Sequence, residues 1–450
     1  MATTLLRAGW IVTMDPGLGV LRNGGVLIEG ERIAGVGRDL APPPGTEVID
    51  APGAIVIPGL VNAHQHTWQT ALRGVAGNWT ILEYFRHVHA GLATRFRPED
   101  IYIANLVGAL NQINCGTTTL MDWCHNTPTP EHSDGGIDGL VESGIRAAFF
   151  HGSPKPDPKL GQKPFWETPH PRAEVERLIK LLPTQDGLVS LGLAILGPHY
   201  STYEVAAHDL RLAREFGLIA SMHCAGADAR TPGGWARLAA EGLLGSDTNV
   251  VHGNNLTDEE LGFMLDAGVT FTLTPETEMA QGHGFAITGR LRRRGAKPSL
   301  GVDLESGNSG DMFTVARLAL ATQRALDNEE SRRSSGRLPD TSTVRCAEAL
   351  EWITLEGARM LKMVDRIGSL TPGKQADLVV LSADDLKMWP VHDPVVSVIT
   401  QASVANVDSV MIAGRWRKRA GKLVYAALEE KKHALEDSGR RILAEMGLVT

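Results

Sequence analysis

The sequence predicts an α/β protein with a (β/α)8 TIM-like barrel and a small β-sandwich domain built from both chain ends. Short buried apolar runs alternate with amphipathic stretches through the middle of the chain, which is typical of parallel βα units. Both ends instead carry short alternating runs separated by glycine and proline turns. We therefore predict a discontinuous β-domain over 1–58 and 366–425, a barrel over 59–365 and a C-terminal helix over 426–450.

The β-domain is predicted from runs near both termini. Four runs near the N-terminus alternate apolar and polar residues: 10–14, 25–30, 32–37 and 47–50. Similar runs return at 376–381 and 407–414. We expect short antiparallel strands. Since neither set is long enough for a stable sheet alone, the two chain ends should pair with each other.

Eight candidate barrel strands lie between these ends, at 60–64, 117–122, 146–151, 191–197, 219–223, 249–252, 269–274 and 299–303. Amphipathic stretches separate most of them, for example 98–114, 203–216 and 258–267. Eight such units favour a closed barrel over an open sheet.

A histidine or an acid follows every one of these strands. In order, they are His64 with His66, Asp122 with His125, His151, His199, His223, His252, Glu276 with Glu278, and Asp303. In a barrel these ends share one rim, where active sites of this architecture lie. One histidine at a strand end means little among 15, but eight polar ends are hard to explain by structural hydrogen bonding alone. His64 and His66 alternate along a strand, so both imidazoles can face one metal ion.

Composition excludes several classes of protein. A net charge of −8 provides no attraction to nucleic acid or anionic membranes, and no run approaches the ~20 apolar residues of a membrane span. The N-terminus also lacks the long apolar stretch of a signal peptide, so we expect a cytoplasmic protein. The four cysteines form no Cys-x-x-Cys pair, which favours reduced thiols.

Several of these motifs together resemble the amidohydrolase superfamily: Pro58-Gly-Leu-Val-Asn-Ala-His64-Gln-His66, Gly197-Pro-His199, Met222-His223, Val251-His252-Gly and Gly301-Val-Asp303. The closer likeness is to the mononuclear-metal branch that contains cytosine and adenosine-type deaminases and triazine hydrolases. It covers nearly the whole chain and is highly specific for fold and metal, but only weakly specific for substrate.

The resemblance implies that His64, His66, His223 and Asp303 bind one divalent metal ion. Zn2+ is the first choice, with Fe2+, Mn2+ and Co2+ as alternatives, because neutral imidazoles and a carboxylate suit these ions. Such an ion lowers the pKa of a bound water toward ~7. Asp303 would take a proton from that water, and His252 would orient or polarise the water or the substrate.

One departure from the family concerns the proton shuttle. Deaminase-like members carry a glutamate three residues after the strand-five histidine, where this chain has Gly226. Two acids, Glu276 and Glu278, follow strand seven instead. If the backbone stays extended there, both project to the same side. We predict Glu278 as the catalytic proton donor, with His252 as the competing donor, and a pocket widened by Gly226.

Residues close to the metal ligands in sequence are the candidates for substrate binding: Trp68, Gln69, Trp79, His199 and Glu276. Packing is the alternative explanation, especially for His199. Asp122, His125 and His151 stay unassigned, since packing and support of the metal ligands explain them equally well.

We therefore predict a metal-dependent hydrolase that uses activated water to cleave a C–N bond in an amide, urea, carbamate or amino-substituted heterocycle. A deaminase of a purine, pyrimidine or triazine ring is the alternative within enzymes. A non-catalytic metal-containing ligand-binding relative is the alternative from another class. The expected partners are a small-molecule substrate and further copies of the chain in a homo-oligomer, with neither nucleic acid nor membrane.

Overall fold

The computed structural model describes residues 3–226 and 228–448. Contacts divide the chain into two compact units. One contains the chain up to residue 63 together with 110–119 and 311–426, and the other contains 64–109, 120–310 and the chain from 427 onward. The domain limits predicted from the sequence stay a prediction.

The strands, in chain order, are β1 (Thr3–Val12), β2 (Val20–Glu29), β3 (Arg32–Gly37), β4 (Glu47–Pro58), β5 (Leu60–Gln65), β6 (Thr117–Cys124), β7 (Arg146–Gly152), β8 (Val189–Ala194), β9 (Ala220–Cys224), β10 (Thr248–His252), β11 (Thr270–Leu273), β12 (Ser299–Leu300), β13 (Leu378–Ser382), β14 (Val407–Ile412), β15 (Arg415–Arg419) and β16 (Lys422–Leu423).

The α-helices are α1 (Ile81–Tyr84), α2 (Pro98–Asn114), α3 (Pro130–Ser143), α4 (Arg172–Leu181), α5 (Gly197–Tyr200), α6 (Tyr203–Glu215), α7 (Gly234–Ala240), α8 (Asp258–Asp266), α9 (Pro275–Ala280), α10 (Thr288–Arg293), α11 (Met312–Ser335), α12 (Cys346–Trp352), α13 (Leu355–Met360), α14 (Pro394–Thr400) and α15 (Leu428–Ala444). Shorter helical turns span Thr67–Leu72, Phe85–His89, Leu92–Arg95, Phe165–Glu167 and Val404–Asn406.

Strands β5 to β12 form one sheet in which each strand neighbours the next in the sequence. A parallel bridge between Gln65 and Asp303 brings the first and last strand ends together. The His66 N–H donates to the Asp303 carbonyl (2.6 Å), and the Asp303 N–H donates to the His64 carbonyl (2.9 Å). The predicted barrel is confirmed, and each strand end lies within three residues of its predicted position.

The other sheet joins both chain ends, as predicted, in the order β16-β15-β14-β13-β4-β1-β2-β3. Its apolar core combines Leu6, Val26 and Val56 with Leu378 and Met411. The expectation that these strands are all antiparallel is wrong, because β1 pairs with β4 in parallel. β2 occupies one edge of β1, so β4 adds to the other edge. The connection over 38–46 returns the chain to the end where β1 starts, since Glu47 pairs with Thr4, and β4 therefore runs in the same direction as β1.

Glycine is required where β12 passes the metal-ligand strand. A Cβ at Gly301 would lie 2.6 Å from the His64 carbonyl oxygen and 2.7 Å from the His64 Cβ. Any larger residue would push these two strand ends apart. Gly301 therefore lets Asp303 approach the histidines of β5.

The C-terminal helix α15 packs against its own chain. Ser438 donates to Asp100 Oδ1 (2.6 Å), Arg441 pairs with the same carboxylate, and Ile442 is fully buried. Within the described residues, no helix is long and apolar enough to cross a membrane.

Candidate metal centre and active site

Four side chains converge where β5, β9 and β12 end. The ligand atoms of His64, His66, His223 and Asp303 all lie within 4.8 Å of one another, and all four residues are buried. His64 Nε2 is 3.2 Å from both Asp303 Oδ1 and His223 Nε2, and His66 Nε2 is 3.3 Å from Asp303 Oδ1. Three imidazoles and one carboxylate that share a centre are a donor set that fits a divalent ion such as zinc.

The surroundings of these histidines favour metal binding through the tautomer of His66 and the lowered pKa values of His64 and His223. His66 Nδ1 lies 2.7 Å from the Trp123 carbonyl oxygen. A carbonyl only accepts, so Nδ1 carries the proton and Nε2 keeps its lone pair for a metal. Burial lowers the pKa of His64 to about 3 and that of His223 well below its usual value. Neutral imidazole, the ligating form, is therefore the form present at neutral pH.

Asp303 is held ionised beside these rings. Burial alone would raise the pKa of its carboxyl, but hydrogen bonds to His64 and His66 outweigh that effect and hold the pKa well below its usual range. Its backbone has φ +71°, and that of His252 has φ +69°. Both residues adopt a conformation uncommon for non-glycine residues, and such strain clusters at functional sites.

The Nδ1 atom of His252 lies within hydrogen-bond distance of two side chains. Nδ1 lies 3.1 Å from Thr274 Oγ1 and 3.3 Å from Glu278 Oε1, which also accepts from the Thr274 N–H (2.9 Å). Glu278 is fully buried, and burial raises its pKa to about 8. Glu278 does not line the cavity. It contacts the cavity wall through His252, which does line it.

A cavity opens beside the metal-ligand cluster. It is lined by His66, His223 and Asp303 of the cluster and by His252. Further residues on its wall are Ile81, Tyr84, Phe85, His89, His125, Lys155, Tyr200, Gln281, His283 and Leu304. The cluster thus forms part of a pocket lined by aromatic and imidazole groups, which is the usual character of a small-molecule site.

None of the predicted substrate-binding residues lines this cavity. Trp68 and Gln69 are buried in the turn after His66, and Gln69 donates to the Tyr84 hydroxyl (2.5 Å) on the cavity wall. Trp79 packs on His87, with ring centroids 5.0 Å apart. His199 Nε2 lies 3.2 Å from the Ala225 carbonyl. Gln69 therefore contacts the wall through Tyr84 and Trp68 through His125, whereas the partners just given for Trp79 and His199 lie outside the lining.

The two acids after β11 point in different directions. The expectation of an extended backbone there is wrong, because α9 begins at Pro275. Residues two apart on a helix lie on different faces. Glu278 faces His252, whereas Glu276 accepts hydrogen bonds from the Ser309 N–H (3.1 Å) and hydroxyl (2.8 Å).

The three unassigned polar residues have structural partners. Asp122 accepts from the Thr67 N–H (3.1 Å) and Asn105 (2.7 Å). His125 stacks on the His66 ring, with centroids 4.1 Å apart, and lines the cavity. His151 bonds His170 (2.8 Å) away from the cavity. Asp122 and His125 thus contact the ligand-bearing segment.

The expected widening of the pocket at Gly226 is absent. A Cβ placed there would lie 3.2 Å from Ile81 Cγ1 and 3.8 Å from the Tyr200 hydroxyl. These two side chains therefore pack close to position 226 and leave little open space beside it. Gly226 also has φ +90°, which disfavours any other residue.

Several polar cavity residues were missed by the sequence reasoning, and Lys155 and Gln281 are two of them. Lys155, from the proline-rich loop after β7, is 8% exposed, and burial lowers its pKa to about 8. Gln281, just after α9, is 4% exposed, and neither atom of its amide has a hydrogen-bond partner. A lone lysine in a loop carries no local signal, since its contacts depend on the path of the loop.

Comparison with known proteins identifies the family. Residues 55–417 match the family model described as "Amidohydrolase family". The chain belongs to the amidohydrolase family. It is 32% identical over 432 residues to an 8-oxoguanine deaminase from Pseudomonas aeruginosa, covering 88% of this chain and 89% of that one.

Two solved structures share this amidohydrolase's fold. An adenosine deaminase from Xanthomonas campestris with bound zinc has a TM-score of 0.83 at 24% identity, covering 98% of this chain and 99% of that one. A zinc complex of an atrazine chlorohydrolase from Arthrobacter aurescens has a TM-score of 0.85 at 23% identity, covering 97% and 100%.

The predicted general activity is confirmed by family membership. This amidohydrolase is a metal-dependent enzyme that hydrolyses C–N bonds other than peptide bonds in small molecules. The expected divalent metal site is also present in the structure as the cluster of His64, His66, His223 and Asp303.

Proposed function

We propose that this amidohydrolase is a zinc-dependent deaminase that removes an exocyclic amino group from a small purine, pyrimidine or triazine ring. The observation that carries the proposal is the convergence of three histidines and one ionised aspartate beside a cavity lined by aromatic and imidazole groups. Aromatic and imidazole walls suit a flat heterocycle. The 8-oxoguanine deaminase from Pseudomonas aeruginosa supports a ring substrate.

One zinc ion per chain is the proposed metal, held by His64, His66, His223 and Asp303. When bound, it would act as a Lewis acid and lower the pKa of water toward ~7. The three-histidine, one-carboxylate set suits zinc, with Fe2+, Mn2+ and Co2+ as alternatives.

Side chains of the protein then accept and donate the protons of the reaction. Asp303 Oδ2 lies 3.5 Å from Thr274 Oγ1, and Asp303 is ionised, so it can accept a proton from the attacking water. His252 lines the cavity and is backed by Glu278, so its Nε2 is available to the substrate when Nδ1 bonds Glu278. Departure of ammonia requires a proton on the leaving nitrogen. We assign that delivery to the pair His252 and Glu278.

A substrate screen tests the proposal. Zinc-loaded full-length protein should release ammonia from at least one aminated ring, with kcat/KM of about 10⁴ M⁻¹s⁻¹ or more for the true substrate. The panel should include 8-oxoguanine, other aminated purines, pyrimidines and triazines, and a separate set of amides, ureas and carbamates. Ammonia is measured with a coupled glutamate dehydrogenase assay.

The outcomes of the screen separate the alternatives. Release of amine from amides, ureas or carbamates only, with every ring inert, would show that ring deamination is wrong. The Asp303→Asn variant serves as the inactive control, since it removes the negative charge of the ligand and the proton acceptor without changing the size of the side chain.

We further propose that the protein is a homo-oligomer in the cytoplasm. Leu82 and Phe285 are 67% and 59% exposed, and large apolar side chains of this kind supply surface for a second copy. The four free cysteines are buried, which is compatible with a reducing compartment. Sedimentation velocity at micromolar concentration should find a dimer or larger species. A monomer across that range would contradict the oligomer.

A further inference from the structure

We propose that Gln281 and Lys155 select the substrate, and that this substrate is an oxo-substituted ring. A lactam edge, in which a ring N–H lies beside a carbonyl oxygen, would pair with the Gln281 amide. A second substrate oxygen would accept from Lys155. The inference rests on the proposed function and names the substrate class of that same cavity.

Gln281 is a buried amide without a partner. Its side chain lines the cavity with 4% exposure, and both Oε1 and Nε2 lack a hydrogen-bond partner. Its backbone is fixed, because its N–H donates to Thr277 (2.8 Å) and its carbonyl accepts from Ile81 (3.0 Å). Buried polar atoms are rarely left unpaired. A ligand that supplies one donor and one acceptor would satisfy this amide.

Lys155 is a buried cation without an acidic partner. Its ammonium lies 5.1 Å from the ring centroid of Tyr200 and 5.5 Å from that of Trp123. It forms neither an ion pair nor a hydrogen bond with any residue the structure describes. Asp303 is the acid on the described cavity wall, and His64 and His66 already bond it. The ammonium is therefore free to bind an oxygen of the substrate, most strongly an anionic one.

The position of the leaving group further restricts which classes of ring can be the substrate. The amino group that departs has to face the metal ligands. Gln281 must therefore form its hydrogen bonds with a different edge of the substrate. That second edge needs a donor and an acceptor side by side, which a lactam supplies and an N9-substituted adenine ring does not. Apart from Asp303, which belongs to the metal-ligand cluster, Lys155 is the acidic or basic side chain other than histidine on the described cavity wall, and its charge is positive.

Binding of urate tests the inference without turnover. Urate carries lactam edges and a negative charge but no amino group to release. Calorimetry with zinc-loaded full-length protein should detect urate binding. Lys155→Met and Gln281→Leu should each weaken it by about tenfold to a hundredfold, the loss expected for one charged or bidentate hydrogen bond. Binding of 9-methylpurine, which lacks carbonyl and ring N–H groups, should change by less than about threefold.

Matched variants separate this effect from damage to the fold. Lys155→Arg keeps the charge and should retain most of the affinity, whereas Gln281→Glu is nearly isosteric and should repel urate. Lys159→Met changes an exposed lysine of the same loop and should bind urate like the wild type. Zinc content and the unfolding temperature should be the same in all variants.

Two results would overturn the inference: no urate binding by the wild type, or unchanged affinity in both Lys155→Met and Gln281→Leu. The proposed function fails separately. If the wild type deaminates rings with the same kcat/KM as both variants, only the present inference is wrong. If no ring is deaminated but urate binding depends on both residues, ring deamination is wrong and the binding site stands.

Discussion

The His66→Ala variant should lose its bound metal, and its turnover should fall by about three orders of magnitude or more. His66 Nε2 lies 3.3 Å from Asp303 Oδ1 within the cluster, and its proton on Nδ1 is fixed by the Trp123 carbonyl. Alanine removes one of four ligands and leaves the others too few for a closed site. Elemental analysis should find about one equivalent of metal in the wild type and little in the variant.

A buried histidine outside the cluster provides the control. His151 also ends a barrel strand and is 2% exposed, but its Nδ1 bonds His170. His151→Ala should therefore keep its metal even if it unfolds at a lower temperature. Added zinc should raise the unfolding temperature of metal-free wild type and of His151→Ala, but not of His66→Ala, because only a protein that binds the ion is stabilised by it. Full metal content in His66→Ala would remove the basis of the proposed site.

The Glu278→Gln variant should lower kcat by about 100-fold while metal content stays unchanged, the effect expected when a general acid or its support is lost. Glutamine keeps the size of the side chain and an oxygen for the Thr274 N–H. It cannot exchange a proton with His252, whose Nδ1 lies 3.3 Å from Glu278 Oε1. Steady-state kinetics on the substrate found in the screen would measure the effect.

A double-mutant cycle tests whether Glu278 acts through His252. Because Glu278 reaches the cavity only through His252, we expect Glu278→Gln to have little further effect in a His252→Asn background. Glu276→Gln is the matched control, since that acid bonds Ser309 rather than the cavity wall, and kcat should change by less than about threefold. Normal turnover in Glu278→Gln together with an inactive His252→Asn would assign the proton to the histidine alone.

The consequences of Gly226 differ from those expected from its size. A missing side chain predicts more space, yet Ile81 and Tyr200 pack close to that position. The neighbours come from α1 and α5, which are distant in sequence. Whether a small residue opens a pocket depends on what packs against it.

Much of the candidate site was predictable from local rules. Hydrophobic runs of strand length located all eight barrel strands. The rule that such strands end on one rim predicted that their polar ends would share one side of the barrel. The resemblance to the amidohydrolase superfamily selected His64, His66, His223 and Asp303 among them, and their ligand atoms lie within 4.8 Å of one another. These predictions succeed because strand alternation and barrel closure are regular geometry.

The residues between the regular elements were not predictable in this way. Glu276 and Glu278 separate because a helix begins at Pro275, where an extended chain would have kept them on one side. Trp68 and Gln69 are buried because the chain turns immediately after His66. Each of these errors comes from a change in backbone conformation within a few residues of a strand end.

By itself, the sequence determined the class of fold, because strand and helix patterns recur at regular spacing. Its resemblance to the amidohydrolase superfamily indicated the metal-ligand set and the general chemistry, because the family's motifs stand at matching positions in this chain. The tertiary structure alone decided which polar groups face the cavity. Lys155 enters it from a long loop and Gln281 from the end of a short helix, while His199 and Trp68 bond the surrounding wall. Loop paths depend on contacts with residues far away in the chain. These contacts produce no periodic pattern of residue types in the sequence.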